Sequence, residues 1–331
     1  MPATAKLPAR SRPKTLRVAV LLGGVSSERE VSLRSGAAVV SALAKLGHEA
    51  LAVDVSSDGP DALDALPRDV DAAFIALHGR FGEDGECQRR LAALSVPYTG
   101  SGPAASARAF DKAWTKAILR AAGVPVAKDV LLEWPFRAQD VKRSVRRAAS
   151  FAEDGLVVKP TREGSSVGVS LCKSLAQASR AAWKARGFEQ PVLIEKLVPG
   201  RELTVAILGG EALPPIEVVP ALAFYDYKAK YDPSSGTRYR VAPDDLPPGV
   251  AERVQGVALA AHQALGCEDV SRVDIRVDAK GEPFVLEVNT IPGLTATSLL
   301  PKAAAAVGVS FEELVERLVK RAIRRASGAA A

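Results

Sequence analysis

Short apolar runs alternate with amphipathic helical patterns in the first hundred residues of the chain. Three such runs predict buried strands: residues 16–22, 50–55 and 72–77. Ser27 and Glu30 have the spacing of a capping box and predict a helix that runs to about Leu46. Strands that alternate with helices in this way indicate a parallel sheet with helices on its faces.

The pattern changes in the second half of the chain. Helices are predicted over residues 112–122 and 139–152. Strands are predicted over residues 156–159, 192–195, 202–208, 212–219, 271–277 and 283–288. Tight turns at residues 209–210 and 279–281 indicate antiparallel pairing. The fold class is therefore α/β, with α+β character in the C-terminal part, and the N-terminal parallel unit is expected to end near residue 103.

The hairpin over residues 272–289 carries the most informative polar pattern. Side chains alternate between the two faces of a strand, so Arg272 and Asp274 share one face, and Glu287 and Asn289 share a face on the returning strand. Cross-strand ion pairs would explain the charges, but they do not predict an Asn beside a Glu before a proline-glycine turn. Carboxylate and amide oxygens suit Mg²⁺. A magnesium site at Asp274, Glu287 and Asn289 is therefore favoured.

A lysine, Lys159, ends a predicted strand and leads into a loop of small residues. The loop consists of Gly164, Ser165, Ser166, Val167 and Gly168. Small residues let backbone N–H groups approach phosphate oxygens, and a lysine neutralises their charge. The loop is neither a GxxxxGK[ST] nor a GxGxxG motif, and on its own it would more often be an ordinary turn. The polar hairpin downstream makes it a candidate phosphate loop.

Polar residues also follow two strands of the N-terminal unit. In open α/β sheets, ligands often bind where the strands end. Glu28 follows the first strand, although a helix-capping role explains it equally well. His78 begins a glycine-rich loop over residues 78–85, whereas His48 and His262 are expected to be structural.

Two further segments are candidates for a functional role. Glu195, Lys196, Val198 and Glu202 could face an adenine and a ribose, although alone they read as an ordinary strand end. Residues 224–231 form a dense aromatic and cationic run in a long loop, and loops of this kind are often functional.

Charge and cysteine usage narrow the classes of partner. The net charge is +6, but nine basic residues lie before residue 15 or after Glu316, and the rest of the chain carries −3. A nucleic-acid surface is therefore not favoured. No charge-free stretch has the length of a membrane span, and the three cysteines form no CxxC pair. A cytoplasmic protein without nucleic-acid or membrane partners is expected, with residues 1–14 as a basic, disordered tail.

Five segments, in this order, resemble the D-alanine–D-alanine ligase family of the ATP-grasp superfamily. They are LLGGVSSEREVS, ALHGRFGEDG, KPTREGSSVG, YDYKAKY and EVNTIPGLT. The resemblance covers residues 18–319 and implies a ligase that forms D-alanyl-D-alanine from ATP through a D-alanyl phosphate, for peptidoglycan precursors. It also implies an N-terminal domain (15–103) followed by an ATP-grasp fold of two subdomains (104–198 and 199–331).

The resemblance implies roles for individual residues. The nucleotide contacts would be Lys112, Lys159, Glu195, Lys196, Val198, Glu202 and Lys230. The magnesium ligands would be Asp274, Glu287 and Asn289. Glu28 would hold the first D-alanine's ammonium in a triad with Ser165 and Tyr231. Arg272 and the Gly293 N–H would form the oxyanion site. Substrate contacts would also come from His78, Ser298 and Lys230.

The resemblance further implies ATP and two Mg²⁺ ions, with Mn²⁺ as a substitute and a monovalent cation as an added candidate. Two D-alanine molecules would be the substrates, and the chain would form a homodimer. Three departures from the common pattern, at Lys228, Thr297 and residues 239–243, put second-substrate selectivity in question. Another ATP-grasp carboxylate ligase, such as a D-alanine–D-lactate type, is the nearest alternative. A non-catalytic nucleotide-binding regulator is disfavoured because Arg272 and the three candidate metal ligands are present.

Overall fold

A computed structural model describes residues 15–220, 236–295 and 297–328. The strands are β1 (Arg17–Gly23), β2 (Glu49–Val55), β3 (Ala72–Ile75), β4 (Asp129–Leu132), β5 (Leu156–Pro160), β6 (Ser170–Cys172), β7 (Val192–Lys196), β8 (Arg201–Leu208), β9 (Glu211–Ala212), β10 (Ile216–Val219), β11 (Arg238–Val241), β12 (Val270–Val277) and β13 (Pro283–Asn289). The helices are α1 (Arg29–Lys45), α2 (Glu86–Ala93), α3 (Pro103–Phe110), α4 (Lys112–Ala121), α5 (Ala138–Ala148), α6 (Leu175–Ala185), α7 (Val250–Leu265), α8 (Leu299–Ala306) and α9 (Phe311–Ala326). Single 3₁₀ turns follow α5 and α6, at Ala149–Phe151 and Arg186–Phe188.

The first sheet is parallel, as the alternation of strands and helices predicts. Its strand order is β2-β1-β3, and β1 pairs in parallel with both neighbours. The predicted capping box at Ser27 is wrong. Helix α1 is preceded by Glu28, which makes no side-chain capping bond, because its carboxylate contacts Ser165 instead.

The second sheet has the order β4-β7-β5-β6, and every neighbouring pair is antiparallel. The predicted strands at 156–159 and 192–195 are its two central members. The short outer strands β4 and β6 carry too few residues to give a clear alternating pattern, and the sequence analysis does not predict them. Helices α5 and α6 pack their apolar faces on this sheet and close a core of their own.

The third sheet runs β11-β10-β8-β12-β13, with β9 beside β8. The prediction of one continuous strand over residues 212–219 is wrong, because β9 ends at Ala212 and β10 begins at Ile216. Pro214 and Pro215 lie between them. Proline has no N–H to donate to a ladder, so the strand is interrupted there.

One shared core connects the first sheet to the third, and a second core lies between the third sheet and its helices. Helix α9 packs against α1 and β3, and its apolar residues enter the core of the first sheet, together with residues of β8 and β10. Helices α3 and α4 pack beside α7 against the third sheet. The three cysteines are buried and free. In the described part of the chain, no helix is both long enough and apolar enough to cross a bilayer.

Candidate active site

Two adjoining clefts contain most of the predicted site residues, and both are lined by Glu202, Asp274 and Glu287. The first cleft is also lined by Glu28, His78, Gly164, Ser165, Arg272, Asn289, Gly293 and Ser298. The second is also lined by Lys112, Lys159, Ser166, Val167, Glu195, Lys196 and Val198. Predicted nucleotide contacts therefore cluster in one cleft and predicted substrate contacts in the other, with two of the predicted metal ligands at the boundary.

Three predicted residues are not placed in these clefts. Lys230 and Tyr231, together with the rest of the 224–231 run, lie outside the described residues. Gly168 lines neither cleft. It has a φ of +73°, and a β-carbon there would come within 2.7 Å of the Phe188 ring. Gly168 thus serves the packing of the loop, which needs a residue without a side chain at this point.

The polar face of the β12–β13 hairpin is confirmed by the strand register. Asp274 lies opposite Glu287, and Arg272 lies opposite Asn289. The register shifts just after Asp274, so Leu286 is the extra residue of a β-bulge. The bulge falls beyond the polar pairs, and the alternation that places Asp274, Glu287 and Asn289 together is therefore undisturbed.

Asp274 is the centre of this face. Both of its oxygens accept from Arg272, at 2.8 Å each from Nε and Nη2. Thr204 Oγ1 donates to Oδ1 at 2.7 Å, and Asn289 Nδ2 lies 3.3 Å from Oδ2. Such bidentate, charge-assisted contacts fix the orientation of a carboxylate.

The donor chemistry of this face fits magnesium. Two carboxylates, Asp274 and Glu287, and the Asn289 amide stand on adjoining strands where the clefts meet. Among the described residues, no group of three or more His, Cys, Asp or Glu side chains has metal-binding spacing. A set with only two carboxylates suits an ion that takes further oxygens from nucleotide phosphates.

A hydrogen bond connects the loop between β5 and β6 to the N-terminal unit. The Ser165 hydroxyl donates to Oε1 of Glu28, and both residues are buried. Ser165 and Ser166 have positive φ values of 48° and 62°, which non-glycine residues seldom adopt. Strained backbone of this kind is concentrated at ligand sites. This loop therefore brings the second sheet to the carboxylate that follows β1.

Glu195 anchors the inner wall of the second cleft. Its two oxygens lie 2.8 Å from Lys116 Nζ and 2.9 Å from Lys159 Nζ, with all three side chains buried. Burial acts to raise the pKa of Glu195, but the two ammonium groups outweigh it and hold the pKa at about 2. Two lysines on one carboxylate leave a net positive charge, which favours an anion in this cleft.

Lys116 is a site residue that the sequence analysis missed. It lies one helical turn after Lys112 on α4, and that spacing was the available signal. Lys112 Nζ itself donates to the backbone oxygen of Glu163 at 2.6 Å and lies 3.3 Å from Glu287 Oε2. Helix α4 thus places Lys116 beneath the cleft and Lys112 beside the polar face of the β12–β13 hairpin.

The outer part of the second cleft is polar. Arg276 Nε donates to the backbone oxygen of Val198 at 3.2 Å, and its Nη1 lies 3.3 Å from Glu202 Oε2. Lys196 Nζ is 3.9 Å from carboxylates of Glu153 and Asp154, at the limit of an ion pair. Lys196, Glu202 and Arg276 all line this cleft, so its outer part carries charges of both signs.

Glu83 is a second residue that the sequence analysis did not single out. It lines the first cleft, with its Oε1 3.6 Å from Nδ1 of His78. Burial raises the pKa of the Glu83 carboxyl, and the nearby Glu28 adds to the rise, while His78 and Arg272 oppose it. The glycine-rich loop over residues 78–85 thus contributes an acid as well as a histidine.

The far end of the first cleft is formed by the turn after β13. Thr295 N donates to Ser298 Oγ at 3.0 Å, and a β-carbon on Gly293 would come within 2.8 Å of the same oxygen. Tyr239 and Thr297, two of the departures from the common pattern, also line this cleft. Gly293 allows the turn to fold tightly over Ser298.

These features define an ATP-grasp ligase. A cleft lined by buried lysines lies between two antiparallel sheets and opens onto a carboxylate and amide face. A family model described as "D-ala D-ala ligase C-terminus" matches residues 118–320. The chain belongs to the D-alanine–D-alanine ligase family.

Related proteins cover nearly the whole chain. A D-alanine–D-alanine ligase of Anaeromyxobacter sp. (strain Fw109-5) is 47% identical over 312 residues, which span 94% of this chain and 98% of the relative. The crystal structure of the Bacillus anthracis D-alanine–D-alanine ligase complexed with ATP is 32% identical, with a TM-score of 0.81 over 95% of this chain and 99% of that one. D-alanyl-alanine synthetase A from Vibrio cholerae is 27% identical, with a TM-score of 0.83 over 93% and 98% of the two chains.

Proposed function

We propose that the protein joins two D-alanine molecules, converting ATP to ADP and phosphate, and so supplies D-alanyl-D-alanine for peptidoglycan precursors. The observation that carries the proposal is the junction of the two clefts at Asp274 and Glu287. A nucleotide in the lysine-lined cleft would place its terminal phosphate beside an amino acid held in the other.

The first step is phosphorylation of a carboxylate. A carboxylate oxygen of the first D-alanine attacks the γ-phosphorus of ATP, the bond to the β–γ bridging oxygen breaks, and ADP leaves. Glu28 would hold the ammonium of this D-alanine, and Lys159 would balance charge on the phosphates. Magnesium, held by Asp274, Glu287 and Asn289, would supply further neutralisation of the phosphate oxygens.

The second step forms the peptide bond. The neutral amine of the second D-alanine attacks the acyl carbon, the bond to the phosphate oxygen breaks, and inorganic phosphate leaves with the proton that the amine nitrogen loses. Arg272 and the N–H of Gly293 would stabilise the oxyanion of the tetrahedral intermediate, and both line the first cleft. Ser298 would contact the carboxylate of the second D-alanine, while Lys230 and Tyr231 complete the proposed set.

The same proposal extends to cofactors and assembly. Two Mg²⁺ ions, or Mn²⁺ in their place, would accompany ATP, because two carboxylates and one amide leave coordination positions for phosphate oxygens. We further propose a cytoplasmic homodimer without nucleic-acid or membrane partners, as the family resemblance implies. The concentration of basic residues at the chain ends supports the absence of a nucleic-acid surface.

The test is phosphate release from Mg-ATP with D-alanine, with L-alanine, or with D-alanine plus D-lactate, followed by mass identification of the products. We expect release with D-alanine and a product with the mass of the dipeptide. A depsipeptide with D-lactate in preference to the dipeptide would move the protein to the D-alanine–D-lactate type. If no phosphate is released with any of these substrates, the proposed substrate class is wrong.

A further inference from the structure

A buried serine connects His78 to the turn that carries Gly293. Ser35 Oγ, on α1, lies 3.3 Å from Nε2 of His78 and 3.4 Å from the backbone nitrogen of Leu294. Ser35 has no exposed surface, and His78 and Leu294 are 5% and 3% exposed. The serine and the leucine are 259 residues apart along the chain, so the contact joins the first unit to the third sheet.

The chemistry of these three groups sets the direction of the hydrogen bonds. The Leu294 N–H can only donate, so Ser35 Oγ accepts there. The hydroxyl proton then needs an acceptor, and His78 Nε2 is the one within reach among the described residues. Since the acceptor nitrogen of a neutral imidazole carries no proton, the proton of His78 is placed on Nδ1, which faces Glu83.

We propose that Ser35 is a positioning residue for the peptide-forming step. Its hydroxyl holds His78 as the Nδ1–H tautomer, and its bond to Leu294 fixes the turn that presents the Gly293 N–H. The kinetic part of this inference rests on the proposed ligase activity. The tautomer assignment does not, because it follows from the hydrogen-bond partners alone.

The chain supplies a matched control one turn earlier on the same helix. Ser32 is also fully buried, and its hydroxyl donates to the backbone oxygen of Ala76 at 2.7 Å. Ser32→Ala removes the same atom from the same helix and leaves the His78 contact in place. A purely structural role for buried serines on α1 would give the two alanine variants similar behaviour.

The direct measurement is the imidazole ¹⁵N spectrum of histidine-labelled protein. The chain has only three histidines, and the His78 signals are assigned by their absence in a His78→Asn variant. Spectra are recorded well above neutral pH, where a free imidazole is uncharged. We expect the Nδ1–H pattern for His78 in the unmodified protein and in Ser32→Ala, and a shift toward Nε2–H in Ser35→Ala.

Kinetics give the second readout. Ser35→Ala should lower kcat/KM for the acceptor D-alanine by roughly ten-fold, because a small misplacement of reacting groups is costly. The KM for ATP and all constants of Ser32→Ala should stay within about two-fold.

Three outcomes would overturn the inference: an Nε2–H His78 in the unmodified protein, an unchanged tautomer in Ser35→Ala, or equal kinetic losses in the two serine variants. The first needs only the His78→Asn assignment and no serine variant, so it decides the matter even where Ser35→Ala does not fold. Absence of ligase activity in the unmodified protein, with the Nδ1–H tautomer observed, would refute the proposed function and leave the hydrogen-bond assignment intact.

Discussion

A β-carbon on Gly164 would lie 2.6 Å from Oε2 of Glu28. Carbon and oxygen do not approach this closely without a shift of one group, so the glycine is what lets the loop close on the carboxylate. The neighbouring Ser165 completes the contact by donating to Oε1 of the same residue. The position of the loop and the position of the Glu28 carboxylate therefore depend on the same contacts.

Replacing Gly164 by Ala should push the loop away from Glu28 and impair binding of the first D-alanine. We expect kcat/KM for D-alanine to fall by about ten- to a hundred-fold, because the proposed ammonium acceptor is displaced. Binding of ATP, measured by calorimetry, should change little. Gly187→Ala is the control, since a β-carbon there has no atom within 4 Å. Equal losses in the two variants would contradict this account of Gly164.

Replacing Arg272 by Ala should nearly abolish dipeptide formation. Loss of one oxyanion donor typically lowers the rate about a hundred- to a thousand-fold. Arg317→Ala serves as the control, because that side chain is half-exposed and, within the part of the chain that the structure describes, pairs only with Glu313 on the same helix. The assay is dipeptide formation at saturating substrates, with unfolding curves to confirm that both variants fold. Near-normal turnover in Arg272→Ala would show that Arg272 does not stabilise the oxyanion.

Replacing Lys116 by Met should weaken ATP binding, although Lys116 itself would not contact the nucleotide. Glu195 would then pair with Lys159 alone, and the cleft would lose the positive charge that attracts phosphates. We expect a several-fold rise in the Kd for ATP and a loss of about 1–3 kcal/mol in the free energy of unfolding. Lys184→Met, at an exposed position on α6, is the control for the loss of one lysine. An unchanged Kd would mean that Lys116 acts only on stability.

The buried His262 should make stability depend on pH in a defined window. Burial lowers its pKa from 6.5 to about 4, with Asp269 opposing the shift. Between these values the unfolded chain binds the proton and the folded chain does not, so stability is full above pH 6.5 and falls as the pH drops toward 4. The loss is at most about 3 to 4 kcal/mol, since one pKa unit corresponds to about 1.4 kcal/mol.

The measurement is the free energy of unfolding across this window for the unmodified protein and for His262→Gln. The variant should show a flatter pH dependence, because glutamine does not titrate. Parallel curves for the two proteins would mean that other groups account for the acid sensitivity.

The sequence predicts most accurately those features that depend on near neighbours along the chain. The polar face of the β12–β13 hairpin follows from strand alternation and a tight turn, and the register confirms it. The break between β9 and β10 was also visible, since Pro214 and Pro215 stand there, but the apolar run on either side suggested one strand.

Contacts between distant segments could not be predicted from local pattern. Glu28 has the position of a helix cap, yet its partner is 137 residues away, and that partner turns the carboxylate from the helix toward the cleft. Lys116 was missed for the same reason, because its role depends on Glu195, which lies on β7. Glu83 lies in the same loop as His78, but local pattern does not show that the folded loop places its carboxylate in the first cleft. Periodicity carries no information about which segment will cover a given face.

The packing of α9 on α1 has a consequence for synthesis of the protein. The core around β1 and α1 contains Leu314, Val315 and Leu318, which belong to the last helix described. A ribosome releases the N-terminal segments first, so these apolar surfaces emerge long before their cover exists. The first unit to be translated therefore completes its core only after residue 326 has left the exit tunnel.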